Sequence, residues 1–198
     1  MNPDRRNRRC DTIPQDYPAR KECNSALEFL EDTTYVMSPP RYNHPIEWSN
    51  INDLNDSSRA YIITVKGQIE IKLFKNHAPG SVANFVALAQ SNYYDGKSVH
   101  RVVPNFVIQC GSSRSDGYGS PGYTIRSELG QKYYDSEGYL GMASSGKDTE
   151  DTQWFITHSP TPHLDGDYTI FGKVTSGMEV VHNIEKGDKI QDIRILKY

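Results

Sequence analysis

The chain has 198 residues, which suits one domain with a substantial core and an appendage, or two very small domains. Its formal net charge of −3 argues against the basic footprint of a nucleic-acid-binding protein, so we expect no nucleic-acid partner. Gly and Pro are frequent without any period, which is typical of a β-rich domain with many turns.

Residues 1–57 are polar and contain several prolines, and we interpret them as an N-terminal extension, or arm, of a domain that covers residues 58–198. Within the arm, NSALEFLED (24–32) predicts one short helix, because Asn24 or Ser25 can cap it and Glu28 lies at a capping-box position. A helix of this size cannot bury a core alone. We therefore expect the arm to act as a linker or to pack on the main domain.

The pattern changes from Tyr61 onward. YIITVKGQIEIKLF (61–74) alternates apolar and polar residues around Lys66-Gly67, which predicts a β-hairpin. HAPGSVANFVALAQSNYYDG (77–96) predicts a helix, with Pro79 in its first turn and Asp95-Gly96 at the exit.

The stretch SVHRVVPNFVIQCG (98–111) predicts a second pair of strands that turns at Pro104-Asn105. Further on, a second short helix is predicted within 177–187. The remaining predicted strands lie within residues 138–146, 152–159, 163–175 and 190–198. Many short strands and only two helices in this part of the chain indicate an antiparallel barrel or sandwich.

The cysteines and the apolar segments indicate in which cellular compartment the protein is expected. Cys10, Cys23 and Cys110 are scattered and lack CxxC spacing, so neither a disulfide framework nor a zinc site is indicated. The basic N-terminal sequence is not followed by the apolar region of a signal peptide, and no apolar run is long enough to cross a bilayer. We expect a cytoplasmic protein without a membrane partner.

Three common kinds of site have weak support. GYGSPG (117–122) is not followed by a predicted helix and no GxxxxGK[ST] motif occurs, so a nucleotide site is not indicated. Ser144-Ser145 lacks the GxSxG context of a hydrolase nucleophile. His158, His163 and Asp165 match no common ligand spacing, and we expect no metal.

Arg101 is a permanent cation inside an apolar stretch. The turn at Pro104-Asn105 would bring Phe106 and Gln109 into its neighbourhood, whereas His100 would point to the opposite face and be buried and hydrogen-bonded. A lone strand arginine is more often a solvated surface residue than a catalytic group. The residue pattern alone leaves both interpretations open.

Residues 98–111 together with 138–181 resemble the cyclophilin family of peptidyl-prolyl isomerases. His-Arg, Pro, Phe and Gln are followed in order by Met-Ala, Gln-x-Phe-Ile, Leu-Asp-Gly and Phe-Gly-x-Val. The resemblance runs from about Arg59 to the end of the chain, about seven-tenths of the sequence. It implies a closed eight-stranded antiparallel barrel capped by two helices, and an isomerase that needs no cofactor.

The resemblance also implies the site. Arg101, Phe106 and Gln109 are the implied catalytic residues. In this family mechanism the Arg101 guanidinium bonds the prolyl carbonyl and supports the lone pair of the proline nitrogen. The implied substrate-binding residues are Val107, Gly117, Ala143, Ser144, Gln153, Phe155, His163, Leu164 and Tyr168.

Several positions depart from the common family pattern. Ser144 stands where Asn is usual, Val107 replaces Met, and Cys110 replaces Gly in what we expect to be a structural role. His163 replaces a Trp that hydrogen-bonds cyclosporin in drug-sensitive members, so we expect weak or no binding of that drug. His163 together with Tyr168 in place of His resembles bacterial members.

The function that follows from the resemblance is cis-trans isomerisation of Xaa-Pro bonds in peptides and in unfolded or flexible protein segments, which assists folding. The alternative is a catalytically weak cyclophilin-like module that binds peptides or acts as a chaperone. Residues 1–57 keep this alternative open, because the predicted barrel does not need them.

Overall fold

Eight antiparallel strands form one curled sheet in the computed structural model of the protein, which describes residues 46–55, 58–119, 121–130 and 132–196. The strands are β1 (Arg59–Thr64), β2 (Gly67–Leu73), β3 (Arg101–Val103), β4 (Val107–Cys110), β5 (Tyr139–Met142), β6 (Trp154–Thr157), β7 (Ile170–Ser176) and β8 (Ile190–Leu196). They are ordered β3-β4-β6-β5-β7-β2-β1-β8 across the sheet. The hairpin predicted at Lys66-Gly67 is confirmed as β1–β2.

The sheet is curled but not closed, which corrects the predicted closed barrel. β3 and β8 are its two edges, and no ladder joins them within the described ranges. Closure fails because β3 has only three residues, all of them paired with β4. The segment before β3 meets the start of β8 and the residues before it, through an isolated bridge between Ser98 and Lys189, a 2.8 Å hydrogen bond from the Val99 N–H to the Asp188 carbonyl and a 2.9 Å hydrogen bond from the Ile190 N–H to the Lys97 carbonyl.

Three α-helices are present in the described part of the chain, where two were predicted. They are α1 (Ser49–Asn52), α2 (Pro79–Gln90) and α3 (Met178–Asn183), and a 3-10 turn covers Pro162–Leu164. α2 has Pro79 in its first turn as predicted, but it ends at Gln90, before the predicted exit at Asp95-Gly96. The helix predicted at 24–32 lies outside the described residues. None of these helices has the length and apolar content needed to span a bilayer.

The strands separate two apolar clusters because side chains alternate between the faces of a sheet. Ile108, Trp154 and Ile156 belong to the main core, which packs against α2. Val107 and Phe155, their neighbours on the same strands, belong to a smaller cluster. That second cluster is Val107, Tyr134, Tyr139, Phe155, Leu164 and Ile170, and we call it the outer cluster.

The segment 46–55 packs on the sheet domain. Leu54 is 3% exposed and belongs to the main core, and Ile51 packs against that core. The Lys75 ammonium donates a hydrogen bond to the Leu54 carbonyl. The end of the arm therefore contributes apolar contacts to the domain that follows it.

We expect Leu54→Ala to lower the free energy of unfolding by about 2–4 kcal/mol, because it removes a buried side chain and leaves a cavity. Urea denaturation measures the change. Leu129→Ala is the matched control, since Leu129 is 41% exposed and its truncation should have little effect. A loss below about 1 kcal/mol for Leu54→Ala would contradict the packing of this segment.

Candidate active site

The β3–β4 hairpin places a cation and an amide side by side. Arg101 is paired with Gln109 across the hairpin, and Val103 with Val107. The turn closes with a 3.0 Å hydrogen bond from the Phe106 N–H to the Val103 carbonyl, and Asn105 takes a φ of 59°. Asn tolerates this left-handed conformation, so the predicted turn at Pro104-Asn105 is confirmed.

A cleft of about 210 Å³ opens above the outer cluster. Its lining consists of nine of the twelve predicted site residues: Arg101, Phe106, Val107, Gln109, Ala143, Ser144, Phe155, Leu164 and Tyr168. These residues come from the β3–β4 hairpin and its turn, from β6, from the chain after β5, and from the 162–168 segment. The fold thus collects residues far apart in sequence around one concavity.

The floor of the cleft is aromatic and rigidly supported. The Phe155 ring is 5% exposed and lies on Tyr134, with 5.8 Å between ring centroids and an angle of 28°. Tyr168 meets Phe155 edge to face, also at 5.8 Å. Because the Phe155 ring packs against both Tyr134 and Tyr168, it has little freedom to change rotamer. The floor of the cleft is therefore formed before any ligand arrives.

Gly141 is needed beneath this floor for steric reasons. It is paired with Phe155 across β5 and β6, and a Cβ at this position would lie 2.4 Å from Phe155 Cζ and 2.3 Å from the Tyr134 hydroxyl oxygen. Any side chain at position 141 would therefore displace one of the two rings.

One wall of the cleft is polar: it consists of the Arg101 guanidinium and the side-chain amides of Gln109 and Gln153, and we call it the polar wall. Gln109 Nε2 donates to Gln153 Oε1 at 3.2 Å, and Gln153 Nε2 donates to the Gly117 carbonyl at 3.4 Å. The Arg101 Cζ lies 5.5 Å from the Phe106 ring centroid. No carboxylate of the described residues forms an ion pair with Arg101, so its donors are available to a ligand.

The three predicted site residues outside the cleft lining lie next to it. Gln153 and Gly117 continue the amide chain. His163 stacks on Phe106 with 5.2 Å between ring centroids, at the rim. Gly117 has a φ of 94°, which suits glycine.

His100 lies behind the polar wall, and its environment differs from the prediction. It is buried as expected, but neither ring nitrogen has a hydrogen-bond partner among the described residues. A Cβ at Gly117 would lie 3.1 Å from His100 Cδ2, so the ring packs under that glycine. Burial lowers the pKa of His100, which favours a neutral imidazole that fills space.

Cys110 fits the structural role predicted for it. It is buried on the main-core face of β4, and burial raises the pKa of its thiol to about 12. Among the described residues, no three His, Cys, Asp or Glu side chains gather in a way that could hold a metal ion.

Sequence reasoning missed Tyr134 and Gly141, the two supports of Phe155. Tyr134 lies outside every predicted strand, and only the fold brings it under the cleft. Gly141 interrupts an apolar strand, and a glycine in a strand is a recognised sign of a close approach.

A buried carboxyl lies behind the cleft. Glu150 is fully buried, its Oε1 accepts a 2.7 Å hydrogen bond from the Thr169 hydroxyl, and its Oε2 has no partner within the described ranges. Thr169 follows the cleft residue Tyr168. Burial raises the pKa of Glu150 to about 7, because the charged form is poorly solvated.

This shift predicts a pH-dependent stability. Between its usual pKa of 4.5 and the native value of about 7, Glu150 is protonated in the folded state and ionised in the unfolded state. Unfolding therefore releases a proton, and the free energy of unfolding falls as pH rises through this window. Glu150→Gln should remove this slope and stabilise the protein at pH 8 by up to about 3 kcal/mol.

Denaturation curves from pH 4.5 to 8 test this expectation. Glu179→Gln is the control, because Glu179 is exposed and its removal should leave the slope unchanged. An identical pH slope in wild type and Glu150→Gln would show that this carboxyl does not titrate in the window.

Comparison with known proteins places this cleft in context. Residues 60–198 match the family model "Cyclophilin type peptidyl-prolyl cis-trans isomerase/CLD". "Peptidyl-prolyl cis-trans isomerase B" of Bacillus subtilis (strain 168) is 46% identical over 136 residues, 68% of this chain and 95% of that protein. A peptidyl-prolyl cis-trans isomerase of Synechococcus elongatus is 41% identical over 141 residues, 70% of this chain and 97% of that protein.

Solved structures give the same relationship. A cyclophilin-type peptidyl-prolyl cis-trans isomerase of Cryptosporidium parvum superposes with a TM-score of 0.67 at 33% identity, covering 71% of this chain and 98% of that one. The same protein, crystallised in the presence of the dipeptide Ala-Pro, gives a TM-score of 0.66 over 71% of this chain and 99% of that one.

Proposed function

Since the chain belongs to the family of cyclophilin-type peptidyl-prolyl cis-trans isomerases and has their activity, we propose that the cleft beside Arg101 is its catalytic site. The observation that carries the proposal is the juxtaposition of the Arg101 guanidinium, which has no carboxylate partner among the described residues, with a preformed aromatic floor. In our proposal the site acts on Xaa-Pro bonds of peptides and of unfolded or flexible protein segments.

The reaction requires rotation about a bond, and no bond is broken. Amide resonance gives a barrier of about 18–20 kcal/mol, and the rotation passes through a twisted amide whose nitrogen is no longer conjugated. Catalysis therefore requires a site that fits the twisted form better than either planar form. Fixed donors and a shaped pocket are sufficient for that task.

Arg101 is proposed to stabilise the twisted amide. Its planar set of N–H donors can bond the prolyl carbonyl and support the nitrogen lone pair as conjugation is lost. The opposed Gln109 holds a position next to it on the hairpin. Because Gln109 is itself bonded to Gln153, the polar wall needs little reorganisation during rotation.

The proline ring is proposed to sit on Phe155, bounded by Phe106, Val107 and Leu164. Burying a pyrrolidine ring contributes a few kcal/mol at most, at about 25 cal/mol per Å² of apolar surface. Binding is therefore weak, and the site accepts many sequences around the proline. Holding the ring in place while the preceding carbonyl rotates lowers the barrier to isomerisation, even though the binding itself is weak.

The substrate backbone is proposed to lie along Ala143 and Ser144. The Ala143 N–H is already used by the Gln153 carbonyl at 2.9 Å, which fixes this segment beside the amide chain. The Ala143 carbonyl is then a suitable acceptor for a peptide N–H. Ser144 in place of Asn changes little, because the backbone rather than the side chain makes the contact.

We further propose residues 58–198 as the isomerase domain and residues 1–57 as its extension, with a cytoplasmic location suggested by the buried, unpaired Cys110 thiol. The partners we propose are proline-containing segments, and neither nucleic acid nor membrane. The identities of the relatives and the full set of cleft residues do not favour the alternative of a catalytically weak binding module.

We expect Arg101→Ala to lower kcat/KM by about 100- to 1,000-fold, the cost typical of removing one preorganised donor. Arg101→Lys should still lose at least tenfold, because an ammonium lacks the planar fork. A protease-coupled assay on an Ala-Pro peptide measures both. Arg194→Ala is the control, since that guanidinium pairs with Asp192 on the edge strand β8 and should not affect turnover. Wild-type activity in Arg101→Ala would refute the proposed site.

We expect weak inhibition by cyclosporin, because His163 occupies the position of an indole donor. His163→Trp should strengthen inhibition at least tenfold, whereas His163→Phe, which is aromatic but has no N–H, should not. Inhibition curves on the three proteins test the expectation. Equal potency in wild type and His163→Trp would show that this residue does not determine drug binding.

A further inference from the structure

A second concavity, of about 200 Å³, is lined by cations and is separate from the proline cleft. Its walls are Lys72, Leu73, Phe74, Lys75, Asn76, His77 and Lys132, and none of these shares the lining of the cleft. We call it the lysine pocket. Its lining includes three lysines and no carboxylate, in a chain whose net charge is −3.

The lysines of this pocket lack acidic partners. No ion pair within 4.0 Å joins Lys72, Lys75 or Lys132 to a carboxylate in the described ranges. Elsewhere on the surface, Lys66 pairs with Glu185 at 3.0 Å and Arg194 with Asp192 at 2.6 Å. The pocket therefore concentrates positive charge that the protein itself does not neutralise.

The strand pairing makes this concentration unfavourable without a ligand. Lys72 on β2 lies directly opposite Arg59 on β1 and Lys173 on β7. Like charges in opposite positions of neighbouring strands destabilise a sheet. Arg59 is relieved by Glu70 at 3.4 Å and Lys173 donates to the Ser136 hydroxyl at 2.7 Å, but Lys72 has no such partner among the described residues.

The groups around the pocket are held in place. The Lys132 Nζ lies 4.4 Å from the centre of the Phe74 ring, and Lys75 is positioned by its hydrogen bond to the Leu54 carbonyl. The Phe74 N–H donates to the Phe171 carbonyl at 2.8 Å, which fixes the aromatic wall. His77 Nε2 is shielded from water and has no hydrogen-bond partner in the described part of the chain.

We propose that the lysine pocket binds a compact dianion of the phosphate class. Ammonium groups bind phosphate oxygens through charge-assisted hydrogen bonds, and a small concavity lined by three lysines suits a group with several acceptor oxygens. The dianion relieves the repulsion at Lys72. This site is independent of the isomerase reaction, because it uses none of the cleft residues.

Inorganic phosphate is the first probe, titrated into the full chain in ¹H–¹⁵N NMR at constant ionic strength set with chloride. We expect saturable shifts of the amides of residues 72–77 and of Lys132. Lys72→Gln/Lys132→Gln should weaken the apparent affinity at least tenfold. Lys147→Gln/Lys186→Gln removes the same charge from two exposed lysines elsewhere and should change the affinity less than twofold.

A phosphoserine peptide without proline is the second probe, and it distinguishes the sources of the phosphate group. Saturation of the same amides at least tenfold more tightly than with inorganic phosphate supports a phosphorylated protein segment as the ligand. Equal affinities support a small free phosphate compound. Melting temperatures of all variants in chloride buffer establish that each is folded.

The proposal is overturned if both probes give only non-saturating shifts, or if the two double variants weaken binding equally. Either result would mean that the protein attracts anions through its general surface charge. Because none of these measurements depends on turnover, their failure would leave the isomerase site unaffected, and a failure of Arg101→Ala would leave the lysine pocket unaffected.

Discussion

The two-residue period of β4 and β6 is the constraint on which both the core and the proposed catalytic site depend. Ile108, Trp154 and Ile156 fill the inside of the curled sheet, while Val107 and Phe155 on the same strands build the outer cluster beneath the cleft. A shift of one residue in register would exchange these two sets. The stability of the main core therefore fixes the floor of the site, and the site needs no separate scaffold.

A floor fixed in this way suits a reaction whose difficulty lies in geometry. Phe155 is held between Tyr134 and Tyr168, and the absence of a side chain at Gly141 leaves room for it. On the opposite wall, Arg101 is exposed on an edge strand, where no neighbouring carboxylate of the described residues competes for its donors. In the proposed mechanism, one wall holds the proline ring still, and the other offers donors to the part that rotates.

Features that depend on neighbouring residues could be predicted from the sequence, whereas features that depend on contacts between distant residues could not. The turn at Pro104-Asn105 and the start of α2 at Pro79 depend on local backbone preferences, and both were predictable. The open edge between β3 and β8 depends on how residues about 90 positions apart meet, as the Ser98–Lys189 bridge shows, and no local pattern encodes it. Tyr134 reaches the site through the same kind of long-range packing. The cleft residues themselves were found through resemblance, since a single strand arginine was ambiguous.

The distribution of charge over the surface carries information about ligand sites that the net charge does not. A formal charge of −3 argued against extended polyanions, and that argument concerns the whole surface. Local recognition depends instead on which cations remain unpaired. Lys66 and Arg194 are neutralised by nearby carboxylates. Arg101 and Lys72 form no ion pair with any described carboxylate, and each of them lines a concavity. These two cations, which lack a carboxylate partner in the part of the chain that the structure describes, are the basis of both proposals, a prolyl carbonyl at Arg101 and an anion at Lys72.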